Sequence, residues 1–215
     1  MLASFFILVI MDKKVYTHAT EQLVKRSLQN TMTYTNYRNL VATLATKGKS
    51  TGENQTEALT NYTKLNDRRM RRLDKTLKIA TATLPKVSRN TTWIVLAESW
   101  CGDAAQTMPV MNKIAESDPK LTFKVLLRDE NVEVMDKFLT NGAMSIPKLI
   151  AVDDDTGKIL DSWGPRPSIA TKMAADYKEK NGELTPEFKQ NLQLWYTKDK
   201  GQNTVENLKS LLTLE

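Results

Sequence analysis

Apolar positions at helical spacing dominate the first part of the chain. Residues 20–46 place apolar side chains three or four positions apart, which predicts one broken helix or two consecutive helices. A second helical pattern opens near Asn54 and runs to about Ala82, and Pro85 then breaks the pattern. We therefore expect a helical extension over residues 12–88 that packs on the rest of the protein.

After this extension, short apolar runs alternate with helical patterns, as in α/β proteins. The run 93–98 is apolar on both faces, which is typical of a central strand buried on both sides. Helical spacing follows over residues 104–117. The remaining pattern predicts strands over 121–128, 148–153 and 158–163, a short helix over 132–139, and helices that begin near Ser168, Thr185 and Val205.

The first residues of the chain form an apolar run. A membrane-spanning helix needs about 20 residues, so the run 2–11 is too short to cross a bilayer. It also lacks the basic segment and the small-residue cleavage site of a signal peptide. We interpret residues 1–11 as an apolar tail, and a degenerate export signal remains the alternative.

The single cysteine, Cys101, lies between the strand predicted over 93–98 and the helix predicted over 104–117. Its sulfur is therefore expected at the first turn of a helix, where free N–H groups and the helix dipole favour a thiolate. Such positions lower a cysteine pKa from about 8.5 to roughly 3.5–7.5. The sequence thus predicts a reactive thiol.

Two motifs resemble the landmarks of the thioredoxin family. The tripeptide Trp100-Cys101-Gly102 at a strand-to-helix turn, with Pro109 later in the same helix, resembles the active-site turn of that family. The step Ile146-Pro147 resembles its second landmark, where the peptide bond is cis and packs beside the catalytic sulfur. The segment 158–164 resembles its final strand.

The resemblance covers residues 91–180. It implies an α/β thioredoxin-like fold with a helical N-terminal extension and extra C-terminal helices, and we place the thioredoxin-like domain at residues 91–215. The implied catalytic residue is Cys101. The implied substrate-binding residues flank the cysteine and the cis-proline: Trp100, Gly102, Asp103, Ile146 and Pro147.

Three positions depart from the family pattern. Ala104 replaces the second cysteine of Cys-X-X-Cys, so no internal disulfide can form. Val95 stands where the family buries an acidic residue, six positions before the cysteine, and Val125 aligns with its lysine partner. We expect ordinary dithiol reductase activity to be absent.

Charged residues near the motifs each allow two interpretations. Asp103 is a proton shuttle or, as we favour, a residue that caps the helix start by accepting N–H bonds. Glu98 is a surface charge or a local base. For Lys148 we favour a side chain that points to solvent over one that reaches the sulfur. For Arg128-Asp129 we favour a surface ion pair over an anchor for a carboxylate.

Composition adds limits to this picture. The chain has 215 residues, of which 40% are hydrophobic and 26% charged, as is typical of a globular protein. The net charge of +6 is too small to argue for nucleic acid. The basic residues of the second helix are either a docking surface for an acidic partner or, as we favour, a solvated face balanced by Asp67 and Asp74. His18 is the only histidine, so no Cys/His zinc site is expected, and nothing implies a cofactor.

The sequence leaves two functions open. The first is a monothiol redox protein in which Cys101 exchanges with a protein or low-molecular-weight thiol or disulfide. The second is a non-enzymatic module that binds an extended peptide or a partner protein beside Pro147. One cysteine fits a reducing compartment, so we expect a cytoplasmic protein.

Overall fold

The computed structural model describes residues 16–214, in which eight α-helices surround one sheet. The predicted apolar tail lies outside the described residues. Threonine side chains cap the starts of four helices by accepting the N–H of the third helical residue, which satisfies one of the free donors at each start. The helices are α1 His18–Ser27, α2 Tyr34–Lys47, α3 Glu57–Thr76, α4 Gly102–Ala115, α5 Val132–Met135, α6 Ser168–Asn181, α7 Pro186–Asp199 and α8 Gln202–Leu212.

The sheet has five strands in the order β1-β3-β2-β4-β5. Strands β2 and β3 are parallel, and the other neighbours are antiparallel. A helix between the two parallel strands supplies the crossover that parallel pairing requires. The strands are β1 Met32–Thr33, β2 Thr91–Ala97, β3 Leu121–Leu127, β4 Lys148–Asp153 and β5 Ile159–Trp163.

Three element predictions differ from the structure. The region predicted as helical over residues 20–46 also contains β1, which pairs with the edge of β3. The helix predicted to reach Ala82 ends at Thr76, because Leu77 takes an extended conformation. The helix predicted over 132–139 is a single turn.

One hydrophobic core joins the sheet to the N-terminal helices. Every residue of β2 is buried, as the prediction of a central strand required. Side chains from the extension, among them Val24, Tyr37 and Met70, belong to the same cluster as the strand residues. A second, smaller cluster lies between α6 and α7. Within residues 16–214, no helix is both long and apolar enough to cross a membrane.

Candidate functional site

The junction between β2 and α4 places Cys101 at the N-cap position of α4. The backbone N–H of Ala104 donates to Cys101 Sγ over 3.4 Å. The backbone N–H of Cys101 donates to the carbonyl oxygen of Glu98 over 3.0 Å and closes the turn. The predicted position of the thiol at a helix start is confirmed.

The second landmark meets the cysteine in space. The Ile146–Pro147 bond is cis, as predicted. The Cys101 thiol donates to the carbonyl oxygen of Ile146 over 3.3 Å. Ile146 and Pro147 are both buried. A second cis bond, Gly164–Pro165, was not predicted. The only sequence feature that could have indicated it is the Gly-Pro pair at the end of the last predicted strand.

The predicted low pKa of the thiol is wrong in this structure. Only 8% of Cys101 is exposed, and this burial raises the pKa of its thiol to about 12. The carboxylate of Asp103 acts in the same direction, whereas N–H donation from Ala104 acts against it. Desolvation disfavours the charged form of a thiol, and here it outweighs the helix terminus. The site therefore holds Cys101 as a neutral thiol.

We favoured Asp103 as the residue that caps the start of α4. This interpretation is wrong, because Cys101 occupies the N-cap position. The Tyr196 hydroxyl donates to Asp103 Oδ1 over 3.0 Å, and Arg166 Nε lies 2.7 Å from Asp103 Oδ2. Burial raises the pKa of the Asp103 carboxyl, and the nearby Arg166 guanidinium opposes this shift. Asp103 thus links the active-site helix to the C-terminal region.

The other two residues that flank the cysteine are half-buried. The Arg128 guanidinium lies over the Trp100 ring, 5.0 Å from its centroid. At Gly102, an added Cβ atom would lie 3.2 Å from Gln193 Nε2 and 3.5 Å from Arg69 Nη1. Helices α3 and α7 therefore both approach the backbone next to the thiol.

Two charged residues near the site, Glu98 with its two open interpretations and Lys148, which we expected to point to solvent, are buried. Glu98 is fully buried; its Oε1 accepts the backbone N–H of Asp129 over 2.8 Å, and burial raises the pKa of its carboxyl. Lys148 is 4% exposed, and its Nζ donates to Thr140 Oγ1 over 2.6 Å. The surface interpretations of both residues are wrong, because each finds a polar partner inside the fold. The predicted ion pair between Arg128 and Asp129 is present.

A polar network behind the site was not predicted. Ser99 Oγ lies 2.8 Å from Thr63 Oγ1 and accepts the backbone N–H of Thr51 over 2.9 Å. Asn66 donates from its side-chain nitrogen to the Ser99 carbonyl oxygen over 2.9 Å. The only sequence signal was Glu98-Ser99, a polar pair that follows an apolar strand. The network fixes α3 against the active-site turn.

The proton-transfer positions of the family hold apolar side chains. Val95 on β2 and Val125 on β3 are fully buried neighbours in the sheet register. Neither side chain can exchange a proton. Among residues 16–214, no group of three or more His, Cys, Asp and Glu side chains is placed to hold a metal ion.

The strand order, the cysteine at a helix start and the facing cis-proline define a thioredoxin-like protein. The sequence model of a family described as "Thioredoxin" matches residues 52–178, which is more than half of the chain. The chain belongs to the thioredoxin family. The match begins before α3, so it extends further toward the N-terminus than the resemblance over residues 91–180.

Two solved structures are similar in fold to this chain. A protein of unknown function from Pseudomonas aeruginosa has a TM-score of 0.51 and 15% identity, and the alignment covers 83% of this chain and 96% of that one. An HIV epitope scaffold has a TM-score of 0.50 and 14% identity, with the same coverage of 83% and 96%. At such identities the likeness concerns the fold alone. No curated protein sequence matches this chain.

Proposed function

We propose that this protein is a monothiol redox protein that forms mixed disulfides through Cys101. One observation carries the proposal: Cys101 Sγ lies 3.3 Å from the carbonyl oxygen of Ile146, beside the cis-proline, and also accepts the N–H of Ala104. The sulfur therefore sits where the active-site helix meets the cis-proline segment. The single cysteine fits a reducing compartment, and we place the proposed activity in the cytoplasm.

The proposed reaction is thiol–disulfide exchange. The Cys101 thiol loses its proton to solvent, and the thiolate attacks one sulfur of a disulfide. A new bond joins Sγ to that sulfur, while the other sulfur leaves as a thiolate and takes up a proton. Ala104 cannot attack the adduct, so a second thiol, from a small molecule or a partner protein, must release Cys101.

The raised pKa of Cys101 gives this exchange a particular character. Few molecules carry a thiolate at neutral pH, so attack is slow. A thiol of high pKa is also a poor leaving group, so the mixed disulfide persists once it has formed. These properties suit a protein that holds a thiol adduct better than one that turns over rapidly.

The proposal is tested by incubating the protein with glutathione disulfide and measuring its intact mass. We expect one glutathione adduct on the native protein, its loss after addition of a reduced thiol, and no adduct on Cys101→Ser. An adduct on the urea-unfolded protein together with none on the native protein, even after long incubation, would refute the proposed exchange.

The alternative is a non-enzymatic module that binds an extended peptide or partner protein beside Pro147. The burial and raised pKa of Cys101 favour it, because binding needs no thiolate. An incoming strand would compete with the Cys101 thiol for the Ile146 carbonyl oxygen. Under this alternative, Cys101→Ser keeps its affinity for such a peptide, and the native protein forms no adduct.

A further inference from the structure

The positive charges of α3 are only partly compensated. Asp67 and Asp74, the acidic residues that we expected to balance them, pair with Arg71 and with an arginine of α2. In the described part of the chain, Arg69 and Arg72 take part in no ion pair. Burial and the nearby charge of Arg72 lower the pKa of the half-buried Arg69 guanidinium. Two positive charges on this helix therefore lack a partner.

The unpaired Arg69 lies beside the backbone next to the thiol. Arg69 Nη1 lies 3.5 Å and Gln193 Nε2 3.2 Å from the position that a Cβ atom on Gly102 would take. Arg69 Nη1 donates to Asn66 Oδ1 over 2.9 Å, which leaves the other guanidinium nitrogens free to donate. Gln193 accepts from Gln106 through Oε1, so its Nε2 is also free to donate. Because Gly102 has no side chain, the position that both donors approach stays open.

Arg72 continues this donor surface one turn along α3. Its Nη2 lies 3.5 Å from Thr197 Oγ1, which belongs to α7. The Asp103 carboxylate acts on Arg69 from further away, but it is bonded to Arg166 and so leaves Arg69 without a partner. Next to the thiol, α3 and α7 thus present N–H donors and positive charge that no carboxylate of residues 16–214 satisfies.

We propose that Arg69 and Arg72 bind a carboxylate of the compound that reacts with Cys101, so that its substrate class is a low-molecular-weight thiol or disulfide that carries a carboxylate. A guanidinium matches a carboxylate through paired N–H donors. Gly102 follows Cys101 directly, so a carboxylate held there belongs to the same compound as the reacting sulfur. The inference rests on the proposed function, since it names the substrate class of the same thiol.

The anion site is tested by alkylating Cys101 with iodoacetate and with iodoacetamide at one fixed pH and about 0.15 M ionic strength, which screens distant charges. The two reagents differ in a carboxylate against a neutral amide. Both react with the same thiolate, so a change in the pKa of Cys101 cancels from the ratio of the two rates. We expect Arg69→Gln to lower the ratio of iodoacetate to iodoacetamide rates about threefold, as the loss of one partly exposed ion pair would.

Three further variants make this test specific. Arg69→Lys keeps the charge and should restore most of the ratio. Arg72→Gln, at an exposed position, should also lower the ratio and serves if Arg69→Gln fails to fold. Arg68→Gln is the matched control: it removes the same charge from the same helix, but Arg68 is exposed and donates to the Lys64 carbonyl oxygen, so the ratio should not change. Equal ratios in the native protein, Arg69→Gln and Arg72→Gln would overturn the anion site.

Two small disulfides then separate the anion site from the exchange itself. Dithiodipropionate carries a carboxylate at each end, whereas bis(2-hydroxyethyl) disulfide is neutral, and intact mass follows the adduct of each. We expect Arg69→Gln to slow the adduct of the first about threefold and to leave that of the second unchanged. Adducts of both that form at rates independent of Arg69 would support the exchange and overturn the anion site. No adduct of either, together with an alkylation ratio that depends on Arg69, would support the anion site and refute the exchange.

Discussion

The Cys101 sulfur accepts an N–H from Ala104, which favours a thiolate, while burial and the Asp103 carboxylate favour the thiol. The sequence predicted the position of this cysteine and its cis-proline neighbour, because both follow from short motifs. It did not predict the protonation state. That state depends chiefly on burial of the sulfur, which raises the pKa of the thiol and which a short motif does not reveal.

Ala104→Cys is expected to create a weak dithiol reductase. Residue 104 follows Cys101 by one helical turn, and its N–H already contacts the sulfur, so a disulfide can close between them. Activity should stay roughly 100-fold below that of an ordinary thioredoxin, because Val95 and Val125 relay no proton. Insulin reduction driven by dithiothreitol measures this, with Ala105→Cys as the control of equal burial. Robust insulin reduction by the unaltered protein would contradict the expected absence of dithiol reductase activity.

At the scale of elements, strongly periodic segments were predictable and their ends were not. The apolar run of β2 and the helical spacing of α4 identified the central strand and the active-site helix. The end of α3 was missed because Leu77 and Ile79 continue the apolar spacing while they pack against the core in a non-helical conformation. Strand β1 is too short to give a period, and it exists only through its pairing with β3.

The connection from β5 to α6 yields a prediction about stability. Gly164 has φ +124°, and a Cβ atom there would overlap the Pro147 carbonyl oxygen. We expect Gly164→Ala to lower the free energy of unfolding by more than about 2 kcal/mol. The positive φ angle disfavours any side chain, and the new Cβ atom would also collide with the Pro147 carbonyl oxygen. Gly182→Ala is the control: its φ is +80° but the space around it is open, so it should cost about 1 kcal/mol. Equal losses in urea denaturation would refute the close approach at Gly164.

At the scale of the whole molecule, helices from both ends of the chain enclose one active-site turn. Arg69 on α3 and Gln193 on α7 both approach Gly102, and the Ser99 network fixes α3 in place. Sequence periodicity assigned these helices but not their docking, since docking depends on polar contacts between residues far apart in the chain. Burial inside this fold raises the pKa of Cys101, so a cysteine in a motif typical of reactive thiols is neutral here.

Burial of Cys101 also makes stability depend on pH. Below about pH 8.5 the thiol is neutral in the folded and the unfolded chain, so it contributes no pH dependence. Above that value the unfolded chain ionises first, because the folded pKa is raised to about 12, and the free energy of unfolding falls as pH rises. The fall should be smaller in Cys101→Ala, and urea denaturation at several pH values measures the difference.

The most direct test of a buried, neutral thiol at the thioredoxin position is the pH dependence of Cys101 alkylation in the native protein. We expect the rate to rise with pH without a plateau near the free-thiol value of about 8.5, and still to be rising at about pH 10. Cys101→Ser, which has no thiol, supplies the background. A plateau with a midpoint below about 8.5 would contradict the account, since it would show a thiolate stabilised by the helix start despite its burial.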